Sequence, residues 1–191
     1  MTGFAILYPS IAGKWVQLLK EVQPHLTNHL NRLPKMKLIL QIARLKKTAS
    51  GPQTNDFLQL DEIVLEVIYD GGVSNKLAGA GFVIKTMEGF RVGGFNTYMA
   101  VPPPHRIPSR GLIRFTIQVR QLNLGNYSLG ISLGSHQGVL EDKVDDCLSF
   151  VVHATDIYGT GYLLTTDDGV ASLSVAYEVD SDSPRSDALS G

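Results

Sequence analysis

Two hydrophobic periods divide the chain. Across residues 10–33 apolar positions recur at helical spacing. Ser10 can cap a helix, Ile11, Trp15, Leu18, Leu19 and Val22 follow, and Leu26, Leu30 and Leu33 continue the stripe. Pro24 lacks the amide that an interior helical turn uses, so the segment reads as two short helices or one kinked helix ending at Pro34. A stripe of this kind has to be buried, on its own domain or on a partner, and its own chain is the nearer surface.

From Met36 the period becomes two. Leu38, Leu40 and Ile42 alternate with Ile39, Gln41 and Ala43, and a polar loop over residues 46–56 carries Gly51-Pro52. Ile63, Leu65, Val67 and Tyr69 mark a strand closed by Asp70-Gly71-Gly72. A short strand over residues 81–85 turns at Glu88-Gly89 into residues 90–97, and Pro102-Pro103-Pro104 with Pro108 forms a stiff extended crossing. The clearest alternation follows: Ile113, Phe115, Ile117 and Val119 against Arg114, Thr116 and Gln118. Tyr127, Leu129, Ile131 and Leu133 alternate with Ser128, Gly130 and Ser132, and Leu148, Phe150 and Val152 with Ser149, Val151 and His153. Leu173, Val175, Tyr177 and Val179 make a last strand before a Ser, Asp and Gly tail.

Short strands at near-regular spacing, each with one apolar face, predict an all-β fold, an antiparallel β-sandwich. No period of 20 to 50 residues recurs, which excludes propellers and solenoids. The expected organisation is a helical arm over residues 1–35, a sandwich over 36–155, an extension with the terminal strand over 156–179 and a disordered tail over 180–191. The expected core is Phe115, Ile117, Tyr127, Leu129, Ile131, Phe150 and Val152, on three adjacent strands.

Composition changes this picture little. Hydrophobic residues are 43% and charged residues 18% of 191, enough apolar material for a packed core. The formal net charge of -1 offers no electrostatic footprint for nucleic acid. The single cysteine, Cys147, lies in an apolar run and reads as a small buried hydrophobe. No apolar stretch reaches the roughly 18 to 20 residues that span a bilayer, and no basic region precedes the apolar start. A cytoplasmic location is expected.

Candidate chemistry is sparse. Gly13-Lys14 lacks both the earlier glycine and the following Ser or Thr of a nucleotide-binding phosphate loop. Gly79-Ala80-Gly81 precedes a strand instead of following one, against a dinucleotide site. His25 and His29 stand four apart without a third ligand, and read as surface residues. Glu141, Asp142, Asp145 and Asp146 lack the order of a calcium loop and read as a solvated acidic turn. Leu133-Gly134-Ser135-His136-Gln137 misses the second glycine of a nucleophile elbow. The expectation is a protein that is not an enzyme and needs no cofactor or metal.

Several pieces in order resemble a known family. Gly81-Phe82-Val83-Ile84, Glu88-Gly89, Val92-Gly93-Gly94-Phe95-Asn96-Thr97, Leu124-Gly125-Asn126-Tyr127-Ser128-Leu129, and Asp145-Asp146 before Phe150-Val151-Val152 follow its pattern over roughly residues 36–155. The family is the carboxyl-terminal carbohydrate-binding domain of Wzt-type ATP-binding subunits of O-antigen polysaccharide ABC exporters. The resemblance implies an immunoglobulin-like sandwich that binds the finished end of a glycan and gates its export, at the inner face of the inner membrane. The implied partners are a polysaccharide or oligosaccharide and the exporter's ATPase and permease. The family's domain follows an ATPase domain that this sequence does not encode, as in a fragment or a stand-alone relative.

Sugars call for planar polar groups, aromatic faces and room. Ser128 and Ser132, with Gly130, line one strand face with small residues. Ser149 and His153 become their neighbours if the two strands pair, and Lys85 projects nearby. These five are the candidate carbohydrate-binding residues, and an ordinary solvated sheet face is the plainer reading of the same pattern. Arg114, Thr116, Gln118 and Arg120 form a competing polar face on the opposite sheet. The alternative function is a protein-interaction or dimerisation module without carbohydrate binding. The terminal strand needs a sheet to join, and a homodimer that exchanges it is expected, as the resemblance implies.

Overall fold

A computed structural model describes residues 26, 29–34, 37–72, 77–100, 106–135 and 139–171. The expected helix before Pro24, the terminal strand over 173–179 and the tail lie outside the described residues. The expected helical continuation through Leu26, Leu30 and Leu33 does not form: residues 29–34 are turns and a bridge from Arg32 to Val144, and Leu30 is 98% exposed. The described residues form eight strands: β1 (Leu40–Lys46), β2 (Asp56–Leu58), β3 (Glu62–Asp70), β4 (Leu77–Thr86), β5 (Arg91–Asn96), β6 (Arg110–Gln118), β7 (Gly125–Ser135) and β8 (Leu140–His153). They form a three-stranded sheet in the order β1-β3-β6 and a five-stranded sheet in the order β2-β8-β7-β4-β5. Pairing is antiparallel except between β2 and β8. The expected all-β, immunoglobulin-like sandwich is what the chain forms.

The core fills the space between the sheets. Leu65, Val67 and Tyr69 of β3 face Phe82 and Ile84 of β4, Leu129 and Ile131 of β7 and Phe150 and Val152 of β8 within one buried cluster. Aromatic rings knit its two ends. Phe115 meets Phe82 edge-on at 5.2 Å, while Tyr127 stacks on Phe150 at 5.4 Å and Phe57 meets Phe150 edge-on at 6.0 Å. The Tyr127 hydroxyl donates to the Asn123 carbonyl at 2.7 Å, so the ring is pinned at both ends, as a corner tyrosine is in related sandwiches.

Four expectations for the strands are also corrected. β6 is not adjacent to β7 and β8; it pairs with β3 in the opposite sheet, and Phe115 reaches the common core across the inter-sheet gap. As an edge strand it leaves Ile113 and Ile117 only partly buried. β2 emerges from what reads as a polar loop, because Phe57 is fully buried beside Phe150. β4 begins at Leu77, four residues before the expected start, and its Gly79 and Gly81 admit the close approach of Tyr98 and of the β5 backbone at Phe95.

The acidic run is the fourth correction. It is not a turn but the first half of β8. Asp142 is fully buried, accepts the backbone N–H groups of Ile39 at 2.9 Å and Leu40 at 2.7 Å, and pairs with Arg32. Arg32 donates in turn to the carbonyls of Leu26 at 2.6 Å and Leu40 at 2.8 Å. The segment before β1 is thereby fastened across the side of the sandwich between β1 and β8.

Candidate functional site

The outward face of the five-stranded sheet is set by register. Lys85 of β4 stands beside Ser128 of β7, and Ser128 beside Ser149 of β8. Further along, Gly81, Ser132 and Lys143 form a second row. Three of the five candidate residues therefore share one row. Ser132 lies four residues up β7, roughly 13 Å away at the strand's rise per residue. His153 lies as far in the other direction, at the end of β8, where its ring bonds Asp56 of β2 at 3.1 Å. The five form a line along the sheet, not a cluster.

A group missed in the sequence organises the central row. Asp145, Asp146 and Cys147 together stand opposite Gly130, between the Leu129–Leu148 and Ile131–Val144 partners, so β8 bulges there. Asp146 takes a left-handed backbone with φ of 46°. An aspartate tolerates that conformation better than most residues, and a bulge is where it is needed. Its carboxylate accepts the Ser128 hydroxyl at 2.7 Å and lies 3.2 Å from the Lys85 ammonium. The Ser128 hydroxyl, helped by Lys85, holds the Asp146 carboxyl below the usual range against partial desolvation. Lys143 pairs with Asp145 at 2.9 Å, completing two lysines and two aspartates of balanced charge. Gly130 makes the floor: a Cβ there would come within 3.3 Å of the Asp145 carboxylate.

Two further features flank this row. Tyr98 folds across the upper end of the face, its hydroxyl donating to the Ser135 carbonyl at 2.7 Å. A Cβ on Gly79 would sit 2.8 Å from the ring, so glycine is required beneath it. At the lower end a depression of about 360 Å³ is lined by Asn55, Asp56, Met87, Asn126, Ser149 and Val151. The face thus offers an aromatic plate, amide and carboxylate groups, hydroxyls and paired charges, with a low glycine and serine floor. No alternation in the sequence marks Tyr98 or Asp146, since both depend on irregular backbone.

Chemistry of other kinds finds little footing. Cys147 is buried, donates to the Leu129 carbonyl, and its thiol is pushed up to about 12 by burial, far from a reactive thiolate. Among the described residues no group of three His, Cys, Asp or Glu side chains could hold a metal ion. Of the histidine pair, His25 lies outside the described residues, and the His29 ring accepts the Asn31 amide at 3.2 Å. No described helix is long and apolar enough to cross a membrane.

Fold and face define a β-sandwich domain with one open polar sheet surface. Residues 39–164, more than half of the chain, match the family model of the Wzt C-terminal domain, and the chain belongs to that family. Among solved structures it is similar to one described as the crystal structure of the C-terminal domain of wzt, with a TM-score of 0.55 and 19% identity. That match covers 85% of this chain and 99% of the other, and shows a shared fold. A search of curated proteins gives no significant match.

Proposed function

We propose that this Wzt-type domain is a non-catalytic glycan-binding module. It recognises the terminus of an O-antigen-like polysaccharide destined for ABC-type export, on the outward face of its five-stranded sheet. The observation that carries the reading is the central row on the outward face of a domain of this family, where Lys85, Asp146 and the exposed Ser149 are presented and Ser128, 7% exposed, holds Asp146 from below. Hydroxyls and paired charges there can exchange hydrogen bonds with sugar hydroxyls, and Tyr98 offers a ring to sugar C–H surfaces. Ser132 and His153 extend the surface to several sugar units. The module works with an exporter ATPase and permease at the cytoplasmic face of the inner membrane.

Ser132→Trp is expected to abolish binding of O-polysaccharide fragments by isothermal titration while leaving the thermal midpoint nearly unchanged. Ser132 is only half buried on the outward face, so the indole fills the surface without entering the core. Unchanged binding would remove this face from consideration.

Assembly as a homodimer is a second proposal, and a specific opening is where an exchanged terminal strand would seat. Ala171 bridges Leu122, and the Val170 carbonyl accepts the Asn123 amide at 3.1 Å. The chain is thereby led to a gap of about 250 Å³ between the sheets, lined by Phe82, Ile84, Val92, Ile117 and Leu122. The apolar stripe of residues 173–179 matches such a lining, from its own protomer or from a partner's. Removing residues 169–191 is expected to give a monomer or an aggregate by light scattering. A truncated protein that remains a folded dimer would remove strand exchange and leave dimerisation to another surface.

A further inference from the structure

The three-stranded sheet has an outward face of its own, open along β6, where Arg114 and Thr116 are exposed, but closed to water along β1 and β3. Register places Ile42 beside Ile68 and Lys46 beside Val64, with Arg44, Glu66 and Arg114 in a row between them. All of these alternate with the inward Leu65 and Val67 of the core. Yet Ile42 is 0%, Val64 5% and Ile68 3% exposed, although none of the three belongs to the core cluster between the sheets. The Glu66 carboxylate is equally buried, held by Arg44 at 2.6 Å and Arg114 at 2.7 Å. β1 is an edge strand, and no described strand is layered over this side. An edge isoleucine on a bare face would be wetted, so something covers it.

We infer that the chain's own residues 11–22 are the cover, lying as an amphipathic helix over β1 and β3 on the outward face of the three-stranded sheet. Three observations select this occupant. The Ile11, Trp15, Leu18, Leu19 and Val22 stripe needs an apolar surface, and Ile42, Val64 and Ile68 supply one. The chain arrives where it must: the Leu26 amide donates to the Gln41 carbonyl at 2.7 Å, on the unpaired edge of β1 and four residues after Val22. The length suffices as well: twelve helical residues run about 18 Å, and the four residues from Val64 to Ile68 along β3 span about 13 Å. The covered face and the candidate glycan face lie on opposite sides of the sandwich. Whatever precedes the domain would then be tethered away from the sugar.

Trp15 is the only tryptophan in the chain, which makes its emission a reporter of this contact. Leu112 stands on the rim of the covered face, 37% exposed, while Arg91 is exposed on the other sheet. Cys147 is buried and resists labelling. A nitroxide attached to Leu112→Cys in the full chain is expected to quench Trp15 several-fold more than one on Arg91→Cys. Adding Leu18→Asp and Leu19→Asp should abolish the difference while the strand signal in far-ultraviolet circular dichroism persists. Equal quenching from the two labels would overturn the proposal. So would quenching that fades when labelled protein is mixed with excess unlabelled Trp15→Phe chain, since the cover would then come from a second copy. Quenching that survives the two Asp substitutions would overturn it as well, because the stripe would not be the contact.

Discussion

Asp142→Ala will lower folding stability by about 3–5 kcal/mol, the cost typical of breaking a buried ion pair from one side. The side chain is fully buried and serves three donors at once, two backbone amides and the Arg32 guanidinium. Its removal leaves Arg32, itself nearly buried, charged without a counter-ion, and orphans the amides of Ile39 and Leu40. Asp142→Asn keeps an acceptor for the amides and loses only the charge, so it should cost less than Ala. Urea unfolding followed by circular dichroism measures both. A loss under 1 kcal/mol for Ala would show that the segment before β1 is not fastened through this carboxylate. Arg32 and Asp142 are also coupled, so the double substitution should cost clearly less than the sum of the single ones.

Phe150→Ala is expected to cost a similar amount, about 3–5 kcal/mol, for a different reason. The ring is 1% exposed and lies between Tyr127 and Phe57, stacked on one and edge-on to the other. Truncation leaves a cavity that neither neighbour can close. Tyr127 is held by its hydroxyl bond to Asn123, and Phe57 sits on a strand of only three residues. Thr116→Ala on the exposed face of β6 should change stability by less than about 0.5 kcal/mol and serves as the control. If Phe150→Ala behaved like the control, the inward phase of β8 would have been misassigned.

What could be read without coordinates follows from what makes a pattern. β6 and the end of β8 alternate cleanly because each has one face on the core and one on solvent, whereas β7 alternates in residue type although its outward Ser128 and Gly130 are buried as well. β3 is harder: Val64 and Ile68 are buried on its second face, so alternation weakens to a nearly continuous apolar run. β2 is invisible because three residues carry no period, and only Phe57 is apolar and buried. The acidic first half of β8 misleads for a physical reason. Four carboxylates within six residues suggest solvent, and the partner that lets Asp142 enter the interior, Arg32, stands 110 residues away.

The candidate face shows the same division. Lys85, Ser128 and Ser149 share a row because strand phase, readable from the sequence, determines which residues point outward. That the five expected residues form a line and not a cluster depends on register, which phase alone does not supply. Asp146 reaches the row only through a left-handed backbone at a bulge, and Tyr98 only through the turn after β5. Such irregularities leave no periodic trace.

The strand order also governs how the chain matures on a ribosome. The three-stranded sheet is complete in the chain at Gln118, whereas the five-stranded sheet lacks its central β7 and β8 until His153 has emerged. β2, made early, has its sheet partner only in the last residues of β8. At about 5–20 residues per second, the apolar inner surfaces wait several seconds for their covering strands. During that interval the nascent domain presents unpaired edges and bare core surface, which makes its yield in the cell sensitive to elongation rate and chaperone supply.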